Sequence, residues 1–106
     1  MGNAYKKLGQ GVLTGTGTWD KMYTVPASTE AIVKLIVIVN TSASNYTVEI
    51  FNGAHAAGTT ILPSITIEGG GWLELDGPFC MVAADYLEAE GSNAALAYTV
   101  YGVEIS

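Results

Sequence analysis

Arginine is absent from this 106-residue chain, and histidine and cysteine occur once each. The four lysines, Lys6, Lys7, Lys21 and Lys34, all lie in the first third, whereas the stretch from Val39 onward holds eight carboxylates and no basic side chain. A surface so poor in cations repels a phosphate backbone, and base readout leans on arginine, so no nucleic-acid partner is expected. A single cysteine, Cys80, precludes an internal disulfide and fits a reducing compartment. No apolar run reaches the ~18 residues of a membrane-spanning helix. The opening MGNAYKKLGQ has no apolar segment of the secretory kind, and Lys6 stands where a myristoylation signal wants Ser or Thr. A soluble protein made in the cytoplasm, with no membrane partner, is the expectation.

The same shortages thin out the chemistry. His55 sits in the polar loop NGAHAAG with no second histidine for a metal site or a proton relay, and is expected to be solvated. Cys80, in an apolar stretch after Gly77-Pro78-Phe79, is expected to be a buried, inert thiol. Glu74 and Asp76, and likewise Glu88 and Glu90, share strand faces at about 7 Å. That spacing suits a glycosidase pair or a calcium ion, but no D-x-D-x-D-G loop accompanies it, and an outward polar face is the stronger reading. Gly69-Gly70-Gly71 lacks the Lys-Ser/Thr of a phosphate loop and precedes a strand, so it reads as a turn. Asn40-Thr41-Ser42 and Asn45-Tyr46-Thr47 match the glycosylation pattern by chance. The chain is expected to be no enzyme, with no catalytic residue, metal or cofactor.

What the sequence has in quantity is β-forming residues cut by turn residues. Half of it is apolar and only 13% is charged, which argues for a packed domain. Trp19–Val25 alternates, with Trp19, Tyr23 and Val25 on one side, and Pro26 ends it. A long apolar run closes at Asn40, and Tyr46–Phe51 follows with Tyr46, Val48 and Ile50 inward. Thr59–Glu68 contains Pro63, which marks an edge strand or a bulge. Trp72–Asp76 alternates, a β-type piece covers Asp85–Glu90, and the last strand runs from Ala95 to Ile105. Strands at this spacing, with no helical periodicity, predict an all-β fold: an antiparallel β-sandwich, jelly-roll-like, of seven to eight strands. The strands near 31–40 and 95–105 are expected at its centre. The best place for a short helix is Phe79–Ala84. Two parts are expected: a Gly/Thr-rich N-terminal arm, 1–18, and the sandwich domain, 19–106.

One stretch does not fit a strand with a wet side. In Ile32–Val39, IVKLIVIV, strict alternation places Ile32, Ile36 and Ile38 on one face and Val33, Leu35, Val37 and Val39 on the other, with only Lys34 polar. A two-layer sandwich has one core and no helices over its outer faces. One of the two sets therefore calls for a cover, and an uncovered patch of this kind invites association. Trp72, Phe51 and Tyr101 are expected on outward faces as well. Aromatics beside carboxylates suit sugars, but apolar residues on both faces of several strands favour a protein interface.

The elements Tyr23-Thr24-Val25-Pro26, Asn40-Thr41-Ser42, Asp85-Tyr86-Leu87 and Gly102-Val103-Glu104 resemble, in place and order, those of small β-sandwich proteins encoded among the structural genes of tailed bacteriophages and prophages. The resemblance spans about residues 19–105. It implies a virion location after assembly in the host cytoplasm, and a role as a head decoration (cement) protein that stabilises the particle by oligomeric adhesion. It implies as partners further copies of the chain, as a trimer by analogy with decoration proteins, and the major capsid or other virion proteins. The alternative is a receptor- or glycan-binding module of a tail or fibre. The arm is expected to cross to a neighbouring subunit or the particle, with Tyr5 and Leu8 as apolar anchors and Lys6 and Lys7 facing carboxylates. The interface candidates are therefore Tyr5, Lys6, Lys7, Leu8, Val33, Leu35, Val37, Val39, Phe51, Trp72 and Tyr101.

Overall fold

The computed structural model describes residues 5–105. Eight strands follow in order: β1 (Lys6–Val12), β2 (Asp20–Thr24), β3 (Glu30–Asn40), β4 (Tyr46–Asn52), β5 (Thr60–Ile67), β6 (Trp72–Met81), β7 (Tyr86–Gly91) and β8 (Leu96–Ile105). They form two four-stranded antiparallel sheets, β1-β8-β3-β6 and β2-β7-β4-β5. This is the double Greek key of a jelly roll. The sandwich read from the sequence is thus present, with β3 and β8 central in the first sheet and the Pro63 strand, β5, at the edge of the second.

The core lies between the sheets and draws on both: Val33, Ile36, Ile38, Leu96 and Val100 from the first, Met22, Val48, Ile50, Leu87 and Ala89 from the second. Leu13 and Val25, just beyond β1 and β2, are also buried in it. Asn40 ends β3 as a buried amide with every polar atom occupied. Its Nδ2 donates to the carbonyls of Ser44 and Ile67, and its Oδ1 accepts from the Ser42 amide and hydroxyl. That cluster fixes the Thr41–Asn45 turn and satisfies groups that would otherwise be costly to bury.

Three departures from the sequence reading have a common cause in bulges. In β3, Lys34 is an extra residue against β8, since Val33 and Leu35 pair with the consecutive Gly102 and Tyr101, while on β6 Gly77 and Pro78 lie between the partners of Val33 and Leu35. A bulge reverses which face successive residues occupy. Ala31 and Val33 therefore point inward, as do Ile36 and Ile38 beyond the bulge, and Ile32 joins Leu35, Val37 and Val39 outside. Val33, expected at an interface, is core. In β2 a bulge at Met22 separates Trp19 from Tyr23 and Val25. In β1 the extra residue is Leu8, which packs against the core.

Of the segment 1–18 expected as an arm crossing to a neighbour, Lys6–Val12 is the edge strand β1, paired with β8 of its own chain. Its glycines are there for contact and not for flexibility: a Cβ on Gly9 would stand 2.2 Å from the Met22 carbonyl oxygen, which closes β1 over β2. Residues 1–4 of the expected arm lie outside the described residues. The helix expected at Phe79–Ala84 is the end of β6 and a turn. Among the described residues the single helical element is a 3-10 turn, Ala57–Thr59.

Candidate functional site

The two sheets present unlike outer faces. On the first sheet the register sets outward residues in rows across all four strands. Val12, Ala97, Val39 and Trp72 form one row; Gln10, Thr99, Val37 and Glu74 the next; Lys7, Tyr101, Leu35 and Asp76 the third. Val103, Ile32 and Cys80 form a fourth. The middle of this face is therefore almost wholly apolar, and its most exposed members are at the edges, Trp72 at 66% and Val12 at 58%. Apart from Lys34 on β3, the charge of these rows lies on the two flanks: Lys7 on β1, Glu74 and Asp76 on β6. Lys34 stands at the bulge with its ammonium 5.9 Å from the centre of the Tyr5 ring, which is itself 70% exposed.

The outer face of the second sheet is acidic and carries an aromatic plug. Glu49 on β4 is directly opposite Glu90 on β7, and Phe51 is opposite Glu88. The loop between β4 and β5 folds back over this face. His55 lies flat on Trp19, with ring centroids 3.8 Å apart, and meets the edge of Phe51 at 6.3 Å. Its Nδ1 is 3.0 Å from Glu88 Oε1, which also accepts the His55 backbone amide at 2.9 Å. Glu88 is 7% exposed. Trp19, Glu49, Phe51, His55, Pro63 and Glu90 border a shallow groove of about 430 Å³. His55 is exposed, as expected, though held by Glu88 and Trp19; Glu88 is not part of a wet polar face, and Phe51 is buried under the loop and not presented to a partner.

The remaining candidates divide cleanly. Leu35, Val37, Val39, Trp72 and Tyr101 share the first sheet's outer face, with Lys7 and Tyr5 beside them. Lys6 turns inward to its own chain: its Nζ is 2.8 Å from Glu104 Oε1, and Tyr23 donates its hydroxyl to Glu104 Oε2 at 2.6 Å. The Glu104 carboxyl is held below its ordinary range, first by the Lys6 hydrogen bond and then by that of Tyr23. Burial, reinforced by Glu104, pushes the Tyr23 phenol up. Cys80 is exposed on β6, since the strand's alternation continues through Pro78 and sends the thiol outward. No group of three or more His, Cys, Asp or Glu residues with metal-binding geometry occurs among the described residues.

Sequence reasoning missed the Trp19–His55–Glu88 assembly because its members come from three separate segments. The loop NGAHAAG gave no local sign of a partner. The bulge had a local signal, Lys34 as the one charge in an apolar run.

No family model matches the chain, and no curated protein matches its sequence. Solved structures do match its fold. The core of Drosophila NLP, a structure described as giving insight into pentamer formation and histone binding, aligns with a TM-score of 0.53 at 12% identity, covering 95% of this chain and 100% of that one. The coat protein of Tobacco streak virus aligns with a TM-score of 0.54 at 11% identity, covering 98% of this chain and 85% of that one. What this chain has in common with both, at such identities, is the β-sandwich fold.

Proposed function

We propose that this chain is a non-enzymatic structural protein of a virus particle, and specifically a capsid decoration protein that adheres through the outer face of its first sheet. The observation that carries the reading is that face: Ile32, Leu35, Val37, Val39, Ala97, Tyr101, Val103 and Trp72 lie outside the core on one sheet surface. Apolar surface in such an arrangement gains from leaving water, at ~25 cal/mol per Å². Multiplied over many symmetric copies, small gains per subunit stabilise a shell. The resemblance of the turn and strand elements to phage structural proteins supports the particle as the setting. A viral coat protein with the same fold agrees with it, and the pentamer-forming NLP core agrees with self-association more generally. On the decoration reading the assembly is a trimer, seated on the major capsid protein or another virion protein.

The receptor- or glycan-binding reading rests on Trp72, exposed at a sheet edge two residues from Glu74, as sugar-stacking aromatics are. The test for both is quantitative composition of purified particles. A decoration protein is present in a large symmetric number of copies and is lost when Val37→Asp replaces the wild type. A tail or fibre module is present in few copies, and its glycan binding disappears with Trp72→Ala.

A further inference from the structure

The two edges of the first sheet match each other. β1 and β6 are its terminal strands, so among the described residues each lacks a strand neighbour on one side. β1 runs with β3 and β6 runs with β8, because each neighbouring pair is antiparallel. Placing β6 of one copy beside β1 of the next therefore continues the antiparallel alternation without a break. The rows then meet end to end. Trp72 of one copy comes beside Val12 of the next, Glu74 beside Gln10, and Asp76 beside Lys7. These are an apolar pair, a carboxylate with an amide, and a carboxylate with an ammonium. Lys7 already reaches along its own strand to the Gln10 Oε1, at 2.8 Å. The Leu8 bulge is what brings Lys7 into line with Asp76.

We propose that copies of this chain join head to tail through these edges, Trp72–Asp76 of one pairing antiparallel with Lys7–Val12 of the next. The contact is heterologous, so each subunit uses both edges. It rests on the structural reading above and adds to it: the outer face meets the particle while the edges meet other copies. Edge charges have a second known use, which is to prevent strands from pairing. That use makes the opposite prediction for Lys7, since a guarding lysine promotes association when it is removed.

The experiment is sedimentation velocity on the full chain over a concentration series, with near-ultraviolet circular dichroism to verify the fold of each variant. Lys7→Glu and Asp76→Lys should each weaken self-association at least tenfold, and the double variant should restore it. For the register, Gln10→Cys with Glu74→Cys, in a Cys80→Ser background, should give disulfide-linked species larger than dimers under mild oxidation. Within one chain these positions are three strand spacings apart, ~14 Å, too far to bridge. The offset pair Val12→Cys with Asp76→Cys should give none. A wild type that stays monomeric at all concentrations, stronger association on Lys7→Ala, or equal cross-linking by both cysteine pairs would each overturn the head-to-tail contact. Retention of a monomeric wild type on particles would leave the decoration reading standing while this one falls. Absence from particles, with the edge contact intact, would do the reverse.

Discussion

Glu88 Oε1 accepts two hydrogen bonds from one residue, the His55 backbone amide and its imidazole edge, and so fastens the β4–β5 loop to β7. With Trp19 stacked on the other side, His55 is a peg for a loop that covers Phe51. Its role is structural. Removing the acceptor breaks two part-buried hydrogen bonds that hold the loop. Glu88→Ala should therefore cost about 1.5–3 kcal/mol in denaturant-unfolding free energy and leave self-association unchanged. A loss under about 0.5 kcal/mol, the range of ordinary surface substitutions, would mean that the loop is held by its aromatics alone.

The bulge at Lys34 makes β3 tolerant of both substitution and deletion at that position, and intolerant of a deletion elsewhere in the strand. Lys34→Ala removes a long-range contact with an exposed Tyr5 ring and should change stability by no more than about 0.5–1 kcal/mol. Deleting Lys34 removes the extra residue and leaves Ala31, Val33, Ile36 and Ile38 inward by strict alternation, whereas deleting Val37 exchanges the faces beyond it and drives Ile38 out of the core. Expression and thermal melting should separate the variants: a cooperative melt for Lys34→Ala and for loss of Lys34, and no folded protein for loss of Val37.

Neighbours on β3 should respond in opposite ways to the same charge. Ile36→Asp places a carboxylate in the core and should exceed the few kcal/mol that hold a domain of this size. Val37→Asp places it on the outer face, where water solvates it, and should shift stability by no more than about 1 kcal/mol. Circular dichroism should show Ile36→Asp unfolded and Val37→Asp native.

The Lys6–Glu104–Tyr23 cluster sets two pH limits. Because Glu104 has a lowered folded pKa, its contribution is complete above the unfolded value of ~4.3 and is lost as pH falls through the folded one. Tyr23 is shifted the other way, so its contribution is complete below ~10 and is lost as pH rises beyond it. Glu104→Gln should destabilise near neutral pH and converge with the wild type in strong acid. Tyr23→Phe should flatten the alkaline limb. Lys6 is more than half exposed, so Lys6→Ala should cost under ~1 kcal/mol. Melting temperatures across the pH range test all three.

The sandwich was legible because Gly, Pro and Asn-Ser turns punctuate segments of period two, and because β3 and β8 are long enough to demand central places. The doubly apolar strand shows by its sequence alone that one apolar set lies outside the core. The division between the two faces was not legible beyond Lys34, since one bulged residue inverts the pattern without changing its composition. Strand β1 was hidden for a related reason: Gly9 reads as a breaker, whereas it answers the approach of the Met22 carbonyl, a contact 13 residues away in the chain. Cys80 looked buried from its apolar neighbours, but the alternation of β6 through Asp76, Pro78 and Cys80 sends the thiol to water. His55 and Glu88 are separated by 33 residues, and only the fold brings them together.

The central claim is that the apolar face of the first sheet is an adhesion surface on a particle. Its most direct test is the number of copies of this chain on purified particles, measured by quantitative mass spectrometry for the wild type and for folded Val37→Asp. Adhesion requires a fixed, high copy number for the wild type and near-complete loss for the variant. Equal amounts of the two on the particle, or none of either, would contradict it.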